Sequence, residues 1–460
     1  MPMSRRRSFI SACAAIVVAV SSLGATTAAA ATSQGSRVRG VECVPEVEGP
    51  IPATAASRPF VAVFQPELPS GWVDEEFLVS CSSPDLTYTT AVFVRRPENV
   101  RDASGVVAVD PVHSLGLWGM QALVGPYFLS HDVVQVGVVT SNDAAENVLK
   151  APNPTRYSPL DVPATPDAAN EILAGVGALL HERSGPLLGG ARVKSVILGG
   201  WSQTAGVTRT FISSPQAKAT VGGQPVFDGF FPAQAAVGSS GRSQVQRVSD
   251  IGLPILELQG ERELLVTISV YGDLGYRRPD SRTYRLYEVP GMSHVNAEPE
   301  SPVSGFAGSV TCERPPDAQP SAFRQTDIWQ MAFENLVRWV SKDVAPPKAP
   351  RIKLEADGKT VTRDADGNAL GGLRSVFVDA PTAGIMPTSL APGGVVMNPC
   401  AYVGYQLDLD EARLQELYHD HAGYVRAVVK STKKLVREGF LLPEDARELV
   451  TAARESDVLR

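Results

Sequence analysis

Six short apolar runs recur between residues 106 and 289, each closed off by turn residues: Val106 to Val109, Val133 to Val139, Val193 to Leu198, Val226 to Phe231, Ile255 to Leu258 and Tyr284 to Val289. They are rich in β-branched residues and do not alternate with polar ones. Strands read this way when both of their faces are covered, as in a parallel sheet. Helix-sized segments separate them, such as Asp167 to Glu182, where Ile172, Val176, Leu179 and Leu180 fall at helical spacing. Strand alternating with helix predicts an α/β architecture, a mostly parallel central sheet with helices on both faces. A further strand region, Phe77 to Pro97, precedes the runs and stops at a proline.

The third run leads into the stretch with the clearest chemistry. It continues as Gly199-Gly200-Trp201-Ser202-Gln203-Thr204-Ala205-Gly206, and helix-compatible residues follow. A strand, a tight turn carrying one serine and then a helix make a nucleophile elbow: the strained turn lifts the hydroxyl above the sheet, and small neighbours let strand and helix approach. The helix N-terminus lies beneath the serine, so the Gln203 N–H is a candidate donor to an oxyanion. The generic motif ends in glycine where this chain has Thr204.

A serine is a poor nucleophile near neutral pH without a base in reach and a carboxylate to orient that base. Of six histidines, His294 directly follows the last apolar run in the loop Pro290-Gly291-Met292-Ser293-His294, and it is the expected base. His131, His181, His419 and His421 flank a strand or sit on amphipathic segments and read as packing or surface residues. The acid is expected between serine and histidine at a strand end. There the chain reads Gly260-Glu261-Arg262-Glu263, which favours Glu263 and leaves Glu261 as the alternative. A second oxyanion donor is expected from the backbone around His113 and Ser114, after the run ending at Val109, with His113 also a candidate pocket residue. Trp201, Trp118, Tyr127 and Tyr271 are further pocket candidates, with segments 207–250 and 264–282 shaping a lid and acyl pocket.

Composition narrows the class. With 43% hydrophobic and 20% charged residues in 460, the chain can bury a large core. Its 49 acidic against 42 basic residues give no electrostatic reason to expect a nucleic-acid partner. Three arginines, Arg5 to Arg7, precede an apolar run from Phe9 to Val20 and a small-residue stretch through Ala31. This is the layout of a signal peptide over residues 1–31, and Arg6-Arg7-Ser8-Phe9-Ile10 resembles a twin-arginine export signal. No later segment reaches transmembrane length. Export puts Cys43, Cys81, Cys312 and Cys400 in an oxidising compartment, and the nearest-neighbour pairing, Cys43 with Cys81 and Cys312 with Cys400, is preferred among the three possible. Asp364-Ala365-Asp366-Gly367-Asn368 falls short of a calcium loop, because the required final Glu position is Leu373; a hairpin turn is expected instead. A helix is expected from Asp327 to Lys342, and two more within 409–456.

With these residues in place, the sequence resembles the exported "alpha/beta hydrolase domain-containing" proteins of actinobacteria and proteobacteria, a branch of the α/β-hydrolase superfamily. The resemblance rests on Val94-Arg95-Arg96-Pro97, Asn153-Pro154-Thr155-Arg156-Tyr157, the Gly199 to Ala205 elbow, Arg278-Pro279-Asp280-Ser281, Tyr287 to His294, and Asp366 to Arg374. Thr204 fits that branch, whose elbow resembles Gly-Trp-Ser-Gln-Ser/Thr. Two departures stand out. Glu261-Arg262-Glu263 replaces a Glu-x-Asp turn, and Asp110-Pro111-Val112-His113 replaces a Trp-Leu-Asn type sequence. The resemblance implies an α/β-hydrolase core over 59–345, after a flexible 32–58 segment, with a C-terminal elaboration over 346–460 packed on it. The expected activity is that of a secreted serine hydrolase acting on a small-molecule ester through an acyl-enzyme, a scheme requiring no cofactor. The rival readings are a catalytically silent binding protein of the same fold and a lyase or acyltransferase using the same triad.

Overall fold

The computed structural model describes residues 38–182, 185–235, 247–272, 274–297, 303–389 and 398–460. The expected leader at 1–31 lies outside the described residues, as do 32–37 and the 236–246 part of the expected lid segment. Each apolar run forms a strand of one sheet with nine described strands: β1 (Glu46–Glu48), β2 (Trp72–Ser82), β3 (Thr87–Pro97), β4 (Val106–Pro111), β5 (Val134–Val138), β6 (Ser195–Trp201), β7 (Gly229–Ala233), β8 (Ile255–Gly260) and β9 (Tyr284–Val289). Their spatial order is β9-β8-β7-β6-β4-β5-β3-β2-β1. Strands β4 to β9 run parallel to one another, and the first three pair antiparallel at one side.

Neighbouring residues of the central strands face opposite cores, as the period of two in a strand requires. Val196, Leu198 and Phe230 pack on the side of α2 (Pro166–Leu180) and α3 (Gln203–Ile212), with Ile172, Val176, Phe211 and Ile212. Ile197 and Phe231 face α1 (Gly119–Ser130) and α5 (Gln325–Lys342), against Leu123, Phe128, Phe333 and Leu336. Helix α4 (Glu261–Tyr271) follows β8 directly. Coverage on both faces is the physical reason the runs lack polar alternation.

Several of the motif residues quoted above form ion pairs at the antiparallel side, of which Arg156–Glu76 is buried while Asp74 is exposed and Glu75 partly so. The acidic run Asp74-Glu75-Glu76 on β2 is met residue by residue. Arg95 reaches both Asp74 oxygens at 2.8 Å, Arg96 reaches Glu75 at 2.7 Å, and Glu76 takes Arg156 together with the Tyr157 hydroxyl at 3.0 Å. Arg156 is wholly buried and also donates to the carbonyls of Ile51 and Pro52. Removing one partner of the buried Arg156–Glu76 pair costs about 3–5 kcal/mol, since the other charge is left buried and uncompensated.

The chain beyond residue 345 closes the opposite edge of the sheet. Arg285 and Tyr287 of β9 donate to the carbonyls of Pro346 and Pro347 at 2.8 Å, Arg351 donates to Leu286 O at 2.6 Å, and Leu373 N donates to Glu288 O at 2.7 Å. The β9 edge is thereby covered. Asp364 to Asn368 forms a tight turn, with Gly367 N donating to Asp364 O at 3.1 Å and Asp364 N to Asn368 O at 2.9 Å. Where two C-terminal helices were expected, three occur: Glu411–Tyr418, α6 (His421–Glu438) and α7 (Pro443–Glu455). The break falls at His419, whose φ of 66° ends one helix, and at Asp420, whose carboxylate caps the next by accepting from Gly423 N at 2.6 Å. Two disulfides join Cys43 to Cys81 and Cys312 to Cys400.

Candidate active site

Ser202 occupies the junction of β6 and α3 with φ 57° and ψ −118°. A non-glycine residue in that region is strained by about 1–3 kcal/mol and is held there only by its surroundings. Those surroundings are specific. Ser202 N donates to Ala233 O on β7 at 3.2 Å. A Cβ on Gly200 would come within 2.5 Å of the Thr204 backbone, so strand and helix close on each other only with glycine there. Thr204, in place of the generic glycine, is buried, and its Oγ1 both accepts from Trp201 N and donates to Trp201 O at 3.0 Å. The threonine thus staples the turn. Gln203 opens the helix, where its N–H has no partner four residues back in the helix.

His294 lies in the loop after β9 and is almost fully buried. Its Nδ1 is 2.7 Å from Glu263 Oε1, so Nδ1 carries the proton facing the carboxylate and Nε2 is left as the acceptor. The imidazole stacks on the Trp201 indole with centroids 5.0 Å apart, against the residue preceding Ser202. The other Glu263 oxygen accepts from Gly260 N at 3.1 Å and from Gln234 Nε2 at 3.2 Å. Burial pushes the Glu263 carboxyl up, but the His294 hydrogen bond and the His294 and Arg262 charges outweigh it and hold it below the usual range. Burial depresses His294, opposed by the bond to Glu263. Among the described residues nothing hydrogen-bonds to the Ser202 hydroxyl.

Glu261, two residues away, has a different set of partners. It pairs with Arg363 at 2.5 Å and accepts from Gly291 N at 2.7 Å. Burial raises its pKa despite those contacts.

The sequence matches the family described as "alpha/beta hydrolase domain" over residues 47–451. The chain belongs to that alpha/beta hydrolase family. No curated protein matches it. Solved structures with local likeness include esterase Est22, at 14% identity and TM-score 0.25 over 40% of this chain and 47% of that one. Brefeldin A esterase, a bacterial homologue of human hormone sensitive lipase, is 14% identical with TM-score 0.26, over 47% of this chain and 50% of its own. A fungal esterase from Rhizomucor miehei is 13% identical with TM-score 0.27, over 42% and 67%. The chain therefore spans about half the length of the first two of these esterases.

In this alpha/beta hydrolase the loop after β4 folds over the elbow. Ser114 donates from both its N–H, at 3.0 Å, and its hydroxyl, at 2.8 Å, to Gln203 Oε1. The His113 N–H donates to Leu117 O at 2.9 Å. Both backbone N–H groups considered as oxyanion donors are thus engaged with protein acceptors. At the start of the same loop Asp110 accepts from Met120 N at 2.6 Å, tying β4 to the start of α1; burial raises its carboxyl to about 8.

Of the four aromatic pocket candidates, Trp201 stacks on His294. Trp118 is buried against Phe93, with its indole in the space that Gly137 leaves free. Tyr127 stacks on His131 and bonds Glu334 of α5 at 2.5 Å, which makes it a helix-packing residue. Tyr271 ends α4, ten residues along from Glu261 and so about 15 Å from the helix start at the site. Trp118, in the extended turn just before α1, and Tyr127, on α1 itself, thus have packing partners of their own. A cavity of about 240 Å³ does open beside Gln203, lined by Thr140, Asn142, Asn170, Val207 and Thr210 among others.

Residues not anticipated from the sequence complete the arrangement. Gln234, at the end of β7 with φ 47°, joins Glu263 to the Ser293 carbonyl, to which it donates at 2.7 Å. Arg262 bonds Glu263 at 3.2 Å and Ala401 O at 2.9 Å, and lies 4.6 Å from the Tyr402 ring. Tyr402 in turn sits 5.3 Å from the His294 ring. The only signal for Gln234 was its place after a strand end; for Tyr402 it was the neighbouring Cys400.

Proposed function

We propose that this protein is an exported carboxylic-ester hydrolase with Ser202 as nucleophile, His294 as base and Glu263 as the orienting acid. The observation that carries the reading is the buried 2.7 Å contact between Glu263 and His294, on an imidazole stacked on the residue that precedes a strained serine. His294 Nε2 takes the Ser202 proton as Oγ bonds to the acyl carbon and the carbonyl electron pair moves onto oxygen. The Gln203 N–H donates to that oxyanion. Collapse re-forms the carbonyl and breaks the bond to the alcohol oxygen, which leaves with the proton held on Nε2. Water, deprotonated by the same nitrogen, then attacks the acyl-enzyme, and the acid departs as the acyl–Oγ bond breaks and Nε2 returns its proton to Ser202 Oγ. The cavity beside Gln203, bordered by Thr140, Asn142, Asn170 and Thr210 together with Pro163, Pro166 and Val207, is of a size for a small ester. Two disulfides fit an oxidising compartment, and no described helix is long and apolar enough to cross a membrane.

Labelling with a fluorophosphonate probe tests the reading. The wild type is expected to label and to hydrolyse p-nitrophenyl acetate. Ser202→Ala is expected to do neither, losing roughly 10⁴-fold or more in kcat/KM at an unchanged Tm. A folded wild type that does not label, or a mutant that labels equally, overturns it.

A further inference from the structure

An oxyanion hole needs two or more donors, and the Gln203 N–H supplies one. The loop that faces it has no free backbone donor at 113 or 114, because those N–H groups bond Leu117 O and Gln203 Oε1. The same loop does, however, present a fixed imidazole. His113 is held at three points: its N–H donates to Leu117 O at 2.9 Å, its carbonyl accepts from Gly116 N at 2.8 Å, and its Nδ1 accepts from Leu115 N at 3.0 Å. An Nδ1 that accepts a backbone N–H carries no proton itself, so the proton of the neutral ring is on Nε2. Among the described residues that Nε2–H has no partner; the residue as a whole is 91% removed from solvent, but this atom itself is not fully buried, so it faces open space. The adjoining Ser114 clamps the loop to Gln203, the residue that follows Ser202.

We propose that the Nε2–H of His113 is the second donor of the oxyanion hole, a side-chain donor standing where backbone amides are otherwise expected. The inference rests on the serine-hydrolase reading above. As Ser202 Oγ adds and the carbonyl pair moves onto oxygen, the new anion accepts from Gln203 N–H and His113 Nε2–H. No proton is transferred to or from His113. Two chemical requirements of the role are met. The donor must keep its proton without carrying a charge that would repel the imidazolium forming at His294, and burial together with the nearby His294 pushes His113 down to about 4, so the ring stays neutral at working pH. It must also be preorganised: the two main-chain contacts fix the loop, and the Nδ1 contact with Leu115 N orients the ring.

The test compares His113→Gln, whose amide can donate, with His113→Leu, which fills similar space and cannot. Assays use p-nitrophenyl acetate and an alkyl trifluoromethyl ketone, which becomes an oxyanion when a serine adds to it. The Leu variant is expected to lose about 10²-fold in kcat with KM within threefold of wild type. Its affinity for the ketone should fall by the same factor, and the Gln variant should recover at least tenfold of both. Equal kcat values for the two variants, or a Leu variant whose kcat stays within threefold of wild type, overturn the assignment. Fluorophosphonate labelling of wild-type Ser202 separates the failures: absence of labelling sinks the hydrolase reading itself, whereas labelling with His113-independent kinetics sinks only the proposed donor.

Discussion

The serine side and the histidine side of the proposed centre are built on different scales. The serine side rests mostly on near neighbours: Thr204 bonds Trp201 three residues back and Thr208 Oγ1 donates to Gly199 O at 2.9 Å, while its more distant clamp, Ser114 on Gln203, spans 89 residues from the adjoining strand β4. The histidine side draws on segments more than a hundred residues away. Arg363 fixes Glu261, Ala401 and Tyr402 fix Arg262, Val295 N donates to Tyr402 O at 2.9 Å, and the 312–400 disulfide holds that segment. A nucleophile elbow is a strained local turn, and most of its supports are close in sequence. A buried acid–base pair needs its charges compensated from every direction, which a single loop cannot supply. The chain beyond residue 345 is therefore a wall of the histidine side as well as a cover for the sheet edge.

The sharpest way to break this contrast is within the histidine side itself, where two buried glutamates stand two residues apart. Glu263→Gln removes the acceptor that fixes the His294 tautomer and is expected to lower kcat/KM roughly 10⁴-fold. Glu261→Gln keeps an acceptor for Gly291 N but leaves Arg363 without its charge, so it is expected to reduce stability by about 1–3 kcal/mol with kcat/KM within about fivefold of wild type. Steady-state kinetics beside thermal melts read both. If Glu261→Gln proves the more damaging to turnover, the roles are reversed.

That pair also marks where the sequence stopped being informative. The elbow was legible because strand, glycines, serine and helix are contiguous, and His294 because it follows a strand in a glycine loop. The choice between Glu261 and Glu263 turned on Arg363, 102 residues away, and nothing local in Gly260-Glu261-Arg262-Glu263 encodes that partner. Sheet class was readable from unalternating β-branched runs, whereas the third C-terminal helix was hidden because a left-handed His419 is not a residue that announces a break. The surroundings of the aromatic candidates show the same limit of scale: Tyr127 meets Glu334 of α5, 207 residues away, a partner that nothing in its own neighbourhood encodes.

The two disulfides extend the contrast to crosslinks, with a smaller expected effect. Their closed loops span 38 and 88 residues, so removing either costs stability by about 4 kcal/mol in the chain-entropy picture. Only the second anchors residues beside His294. Cys312→Ser with Cys400→Ser is expected to lower kcat/KM about tenfold at a temperature where the protein is still folded, while Cys43→Ser with Cys81→Ser leaves kcat/KM unchanged. Equal kinetic losses from both double variants would mean that the C-terminal wall does not position the imidazole.

The smallest effect is a shift in pH dependence, and it too belongs to one side. The base works as neutral imidazole, so kcat/KM falls as pH drops through the pKa of His294 in the free enzyme. Burial lowers that pKa from 6.5, Glu263 opposes the change and Arg262 adds to it. The acid limb is therefore expected below pH 6.5. Its midpoint should move further down in Glu263→Gln, which loses the charge that favours imidazolium, and up in Arg262→Met, which loses the charge that disfavours it. His113, pushed to about 4, stays neutral through this window and contributes no second limb there. Gln203→Ala, on the serine side, carries no titrating group and should leave the midpoint in place whatever it does to the rate. A wild-type limb above 6.5, or Glu263 and Arg262 variants that shift in the same direction, would show that the electrostatics of the histidine side are not those of a buried imidazole held between one carboxylate and one guanidinium.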